Sequence, residues 1–268
     1  ERSRFHAIWL QALERSGSSP GSVVSGQVLS RTDIDGLFDQ PEDEVYRRIN
    51  HHLHGDRMRG GTDHMRSHGT QVLDLAAGAD PSAGLDPVCN WPLLGVQLPP
   101  QAIADTSGTI MESYLVQGLR WLLHQARAVN PKAPVLVNIS LGFLAGPKDG
   151  SRFAEYQLAR EAALWETWTG QPVRLVFAFG NNRRERLVAQ ADCAPATGGN
   201  DAPQRVAWRV QPGDTSASFL EIRTPAGQSE DLHIEVTTPE GLSSGSVALA
   251  QGQCRSLLVQ GKVVARLY

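Results

Sequence analysis

The chain has 268 residues, 41% hydrophobic and 20% charged, which is the balance of a folded globular protein and excludes a disordered or fibrous one. With a formal net charge of -3 it has no basic field for holding phosphates, and Arg183-Arg184-Glu185-Arg186 is short and interrupted by acid, so no nucleic-acid partner is expected. No stretch is apolar for long enough to cross a bilayer, so no membrane partner is expected either.

Glu1 to Phe5 lack the charged-then-apolar layout of a signal peptide, and the absence of an initial Met reads as a fragment or processed form. Ser30-Arg-Thr-Asp-Ile-Asp35 reads as a helix start, with Ser/Thr caps and first-turn acids. The acidic run Gln40-Pro-Glu-Asp-Glu44 suits another helix N-terminus, where carboxylates meet the positive end of the dipole. His51, His52, His54, His64 and His68 crowd the next stretch, but the first three lack an i, i+4 partner with a Glu base. The His64–His68 pair, though spaced i, i+4, meets Gly69 beside a polar run that does not suit a continuing zinc helix, so a solvated loop and no metal are expected.

From Val88 to Asn181 short apolar runs alternate with helical periods. Pro92 to Leu98 reads as a strand, and Asp105 to Gly108 as a turn ahead of a helix whose Met111, Leu115, Leu119, Leu122 and Ala126 share one face. Pro131 closes that helix. Val135 to Ile139 is a β-branched run of the kind buried on both faces of a parallel sheet. A second helix is expected from Ser151, as its cap, to Thr169, with Gly170 ending it, and Val173 to Phe179 reads as a further buried strand. This alternation implies an α/β fold with a mostly parallel sheet and helices on both faces.

Residues 191–203, rich in Ala, Pro, Gly and Asp, read as a linker. Beyond it come short strand-like runs, Arg205–Val210, Ser218–Arg223, Leu232–Thr237, Ser246–Ala250, Arg255–Val259 and Lys262–Leu267, separated by turn signals such as Pro212-Gly213. Their spacing predicts a small antiparallel β-sandwich or jelly roll over 204–268. Cys89, Cys193 and Cys254 match no metal-ligand spacing, and buried free thiols are expected, with a Cys193–Cys254 bridge left open.

Three segments carry candidate chemistry. In Ser67-His68-Gly69-Thr70, Gly69 leaves room beside the imidazole and a helix from Thr70 to Gly78 stiffens it, as a general base requires, with Val72, Leu75 and Ala76 pinning that helix to the core. The same residues also suit a surface histidine ahead of an amphipathic helix. Ser140-Leu141-Gly142 follows a buried strand, where extended backbone can pair with a peptide as an added strand. Asn181, after Phe177-Ala-Phe-Gly180, puts an amide donor at a strand's end, where an oxyanion would be met.

In this order the three segments resemble the subtilisin-like serine proteases, over roughly residues 60–182, and among them bacterial members with a β-domain inserted after the oxyanion segment. The resemblance implies a partial peptidase domain over 1–190 and peptide-bond hydrolysis by a Ser-His-Asp triad, without a cofactor, on a peptide or protein substrate. It implies that His68 is the general base, that Asn181 lines the oxyanion hole, and that Ser140, Leu141 and Gly142 line the substrate cleft. The family's Gly-Thr-Ser-x-Ala does not occur here. Gly213-Asp-Thr-Ser216 is the nearest imitation, but it runs into an alternating strand, as does Ser246, so the nucleophile is expected beyond Tyr268. The triad Asp is expected before Glu1, with Asp33 and Asp35 reading as helix acids. The alternative is a non-catalytic binding or scaffold protein that keeps the fold without the chemistry.

Overall fold

The computed structural model describes residues 3–12, 26–41, 44–45, 68–78, 87–99, 102–103, 108–143, 146, 149–178, 180, 188–191, 203–211, 213, 218–224, 232–248 and 252–268. The chain divides into two compact units, Glu1–Arg184 and Glu185–Tyr268. Helices and small sheets mix in the first unit, and the second has short strands.

The first sheet is ordered β2-β1-β3. β1 (Phe5–Leu10) pairs antiparallel with β2 (Gln27–Ser30) and parallel with β3 (Leu93–Gln97). No strand is legible at β1 from the sequence, because Phe-His-Ala-Ile-Trp-Leu is apolar at every position but His6 and shows no period. Its two faces nevertheless diverge as a pleat demands. Leu10 packs with Leu29 and with Ile34 of α1 (Arg31–Asp35). Ala7 and Trp9 face the other way, onto Trp121 of α3 (Thr109–Val129), with the Trp9 and Trp121 rings 5.9 Å apart. The expected Ser30 cap is present: Asp33 N–H donates to Ser30 Oγ, and the Asp33 carboxylate accepts from Ser30 N–H at 2.9 Å. Glu44 and Val45 are helical, their N–H groups donating to the Pro41 carbonyl.

The second sheet is a parallel pair, β4 (Val135–Ile139) and β5 (Val173–Phe177), joined through α4 (Phe153–Thr169). Val137, Ile139 and Val173 meet Leu119 and Leu123 of α3 and Leu158 and Trp165 of α4 in one core. Helix α3 therefore buries two faces, one on each sheet. Gly118 lets it lie close on β3, since a Cβ there would come 3.3 Å from Val96 Cγ1.

Three expectations need correction. The parallel strands are divided between two small sheets, which share α3 and not a backbone ladder among the described residues. Among the described residues, helices cover both faces of the first sheet but one face of the second, where Leu136 is 66% and Val176 52% exposed. Burial of β4 on both faces therefore fails, because a β-branched run states that a strand can be covered and not that a layer is there to cover it. Helix α4 starts after Arg152 and not at a Ser151 cap, because Ser151 N–H donates to Asp149 Oδ1 at 2.9 Å and the turn is tied by Gly150 N–H to Glu155 at 3.1 Å. Gly170, at φ 71°, ends it as expected, with its N–H on the Glu166 carbonyl.

Glu166 also joins α4 to β5. Its carboxylate accepts from Val173 N–H at 2.6 Å and from Arg174 Nη1 at 2.7 Å, and these hold its pKa below the usual carboxylate range, the Val173 hydrogen bond most of all, against a smaller opposing cost of desolvation. A lowered folded-state pKa adds stability that is present above the ordinary carboxylate range and is lost as pH falls through the lowered value. Glu166→Gln is therefore expected to flatten the acid limb of a urea midpoint-versus-pH curve, and a limb superimposable on the parent's would refute the linkage.

In the second unit β8 (Arg255–Val259) and β9 (Lys262–Leu267) form the expected hairpin, turning at Gln260 and Gly261 with φ of 50° and 77°. Positive φ at both central residues suits the right-handed twist of the flanking strands. β6 (His233–Ile234) pairs with β7 (Val247–Ala248), and Thr237 bridges Ser243. The strands expected at Arg205–Val210 and Ser218–Arg223 are not formed. Val206, Trp208, Phe219 and Ile222 stand exposed there, and alternation makes a strand only where one face has something to bury against. The described strands thus form two separate two-stranded ladders, short of the sandwich or jelly roll expected. Cys89 is half-buried and Cys254 exposed, which corrects the expectation of buried thiols for both, and Cys193 lies outside the described residues. Cys89 sits in a short 3-10 turn, and Cys254 directly precedes the exposed start of β8.

Candidate functional site

His68 is the first residue of α2 (His68–Ala77) and is exposed. Gly78 ends the helix, its N–H on the Asp74 carbonyl at 2.7 Å, and a Cβ at Gly78 would overlap that carbonyl. The expected pinning by Val72, Leu75 and Ala76 is not seen, since α2 has no buried residue and Leu75 is 88% exposed. What fixes the helix is a cation at its carboxyl end. The Arg4 guanidinium donates to the Ala77 carbonyl, to Val88 O at 2.6 Å and to Trp91 O at 3.3 Å. Those carbonyls belong to the end of α2 and to the turn around Pro87–Asn90, so one side chain at the start of β1 satisfies acceptors that the helix end leaves open. Nothing in the sequence around Arg4 signals this role.

Ser140, Leu141 and Gly142 continue from the carboxyl end of β4. The β4–β5 ladder reaches one bond past the strands, with Ala178 N–H on the Ile139 carbonyl at 3.0 Å, and Asn138 Nδ2 donates to Ser140 Oγ at 3.0 Å. Gly142 then runs against Gly180, the residue before Asn181. A Cβ on Gly142 would lie 3.1 Å from Gly180 Cα and 3.3 Å from its nitrogen, a tight contact that would push the Gly180 backbone back by a few tenths of an ångström, so this approach favours glycine. Gly180 has φ 106°, a conformation that a side chain rarely allows. Ser140–Gly142 and Gly180 are thus gathered at the carboxyl ends of two parallel strands, the rim where open α/β sheets receive ligands.

Phe143 closes this segment. It is buried, and its ring stacks on Phe177 with centroids 5.6 Å apart at 30°. Arg152 lies over Phe143 at 4.5 Å from the ring centroid and donates from Nε to Glu112 Oε1 at 2.6 Å. Neither Phe143 nor Arg152 nor Glu112 was legible as part of a site. Their only trace in the sequence is Phe143 directly after Ser-Leu-Gly.

Asn181 and its neighbour Asn182 lie outside the described residues, as do Ser216 and His51, His52, His54 and His64. No hydrogen bond among the described residues links His68 to the 140–142 edge. Asp35 is engaged as a structural acid at the end of α1, accepting from Ser3 N–H at 2.6 Å with Arg31 Nε 4.0 Å away. Ser246 is exposed and leads into β7, a strand and not a helix. Among the described residues no group of His, Cys, Asp or Glu is placed to hold a metal, and no helix is long and apolar enough to cross a membrane. A shallow depression opens at the other end of β4, between Arg127, Val135, Trp165 and Gln171, and Arg127 is the one titratable group lining it. It offers no pair of groups for acid–base chemistry. No protein-family model, curated protein or solved structure matches this chain.

Proposed function

We propose that the chain is part of a subtilisin-like serine endopeptidase whose nucleophilic serine and orienting aspartate are supplied from outside these 268 residues. The observation that carries this reading is the close approach of Gly142 to Gly180 at the carboxyl ends of β4 and β5. It brings an extended backbone edge, able to pair with a peptide main chain, beside the residue that precedes a candidate oxyanion donor. His68, at the start of α2, supplies the third element.

In this mechanism His68 takes the proton from the serine as it attacks the scissile carbonyl and returns it to the leaving amine. The aspartate holds the imidazole in the required tautomer. Asn181 donates to the oxygen that becomes negative in the tetrahedral intermediate, and Ser140–Gly142 hold the substrate main chain. No cofactor enters the reaction.

A serine-directed covalent probe tests the reading. The isolated chain is expected to remain unlabelled and inactive, whereas a form extended at both ends is labelled stoichiometrically and cleaves peptides. In that form Asn181→Ala is expected to lower kcat about a hundredfold, the scale for losing one oxyanion donor. Labelling of Ser216 or Ser246 in the isolated chain would place the nucleophile within it. An extended form that is neither labelled nor active would refute the enzyme in favour of a non-catalytic scaffold.

A further inference from the structure

We propose that Arg152 is a positioning residue: paired with Glu112 and laid on Phe143, it fixes the Ser140–Gly142 backbone in the form that receives a peptide substrate. The inference rests on the peptidase reading above and adds to it residues that the reading does not contain.

The first observation is that Arg152 is poorly explained as a helix residue. It occupies the N-cap of α4, where a side-chain acceptor is favoured, and it makes no capping hydrogen bond. A cation there also opposes the helix dipole. Its side chain is nevertheless 9% exposed, and that of its partner Glu112, in the first turn of α3, is 16% exposed. Burying a guanidinium is costly unless it is paired, so the pair must be held by its surroundings and not by solvent.

The surroundings are shaped to hold it. Gly108 has φ 77° and Gly146 has φ 95°. A Cβ at Gly108 would overlap the Phe143 ring and lie 3.4 Å from Arg152 Nη2, and one at Gly146 would lie 3.0 Å from Arg152 Cδ. Two glycines in left-handed backbone thus clear the space that Arg152 and Phe143 fill. The guanidinium lies over the Phe143 ring, which in turn stacks on Phe177 at the end of β5. Cation–π attraction and ring stacking therefore connect the starts of α3 and α4 to the strand ends.

The consequence falls on three residues. Ser140, Leu141 and Gly142 span the gap between Ile139, fixed by the Ala178 hydrogen bond, and Phe143, fixed by Arg152 and Phe177. A bridge so short, held at both ends, keeps its main chain in one conformation and lowers the ordering cost when a peptide adds to it. Loss of the clamp should weaken main-chain pairing in ground state and transition state alike, which raises KM more than it lowers kcat.

The test compares a tetrapeptide anilide with an acetyl amino-acid ester too short to pair along the edge, both on the form extended at both ends. Arg152→Met is expected to raise KM for the tetrapeptide about tenfold, with kcat changed less than about threefold and the ester kinetics unchanged. Arg152→Lys keeps the charge without the planar stack and should lie between, as should Glu112→Gln, and these two carry the comparison if Arg152→Met does not fold. Equal losses on both substrates, or losses that only track the folded fraction, would make the pair purely structural and overturn the proposal. A parent protein that cleaves neither substrate would overturn the peptidase reading, and this inference with it. Cleavage of both, with the tetrapeptide KM unmoved in every variant, would overturn this inference alone.

Discussion

His68→Ala in the form extended at both ends is expected to lower kcat by about 10⁴ to 10⁶, the scale known for losing a triad member in subtilisin, while KM for a peptide changes little. The size follows from the general-base role proposed for His68. Without a base held at hydrogen-bond distance the serine is not deprotonated as it attacks, whereas oxyanion and main-chain contacts survive and still bind the substrate. The exposed start of α2 makes the substitution mild for folding, since this helix buries no residue. Activity and stability should therefore separate cleanly, with the thermal midpoint moved by less than about 2 °C, as expected for a surface change. Single-turnover kinetics and a thermal scan on the same preparation provide the check. A fall in kcat of less than about tenfold would remove His68 from the mechanism.

Trp9→Ala should give the largest change in stability, about 3–5 kcal/mol, read as a drop in the urea midpoint of the first unit. Trp9 is 2% exposed in the middle strand of the first sheet and faces Trp121, so truncation opens a void between β1 and α3. β1 is hydrogen-bonded along both of its edges, to β2 and to β3, which holds its backbone in place and keeps it from collapsing into the void. Leu136→Ala is the matched control. Leu136 is 66% exposed on the bare face of β4, so its loss should cost no more than about 0.5 kcal/mol although it is an apolar strand residue. Comparable losses at the two positions would mean that the bare face is covered in solution.

Some elements were legible because local chemistry specified them. Val135 to Ile139, the α3 face with Met111, Leu115 and Leu119, the Ser30 cap, the Gly170 stop and the hairpin from Arg255 to Leu267 all appear where periodicity and capping place them. Other elements depended on partners distant in sequence. β1 carries no period, and becomes a central strand because β2 and β3 pair with its two edges. The reverse holds for Arg205–Val210 and Ser218–Arg223, which alternate correctly and form no strand. The apolar residues of α2 likewise read as a core face and lie exposed.

For the candidate site the sequence by itself determined which residue types stand in which order: a histidine before Gly-Thr, Ser-Leu-Gly after a β-branched run, and Gly-Asn after the next apolar run. Those signals are local, because each needs only a strand or helix end and a small residue beside it. Only the tertiary structure decided that Gly142 and Gly180 touch, that Arg4 ties down the end of α2, and that Arg152 pairs with Glu112 while lying over Phe143. Each of these contacts joins residues well separated along the chain. No periodicity encodes such a meeting, which follows only when α3 and α4 settle on one face of the β4–β5 pair and bring the helix starts to the strand ends.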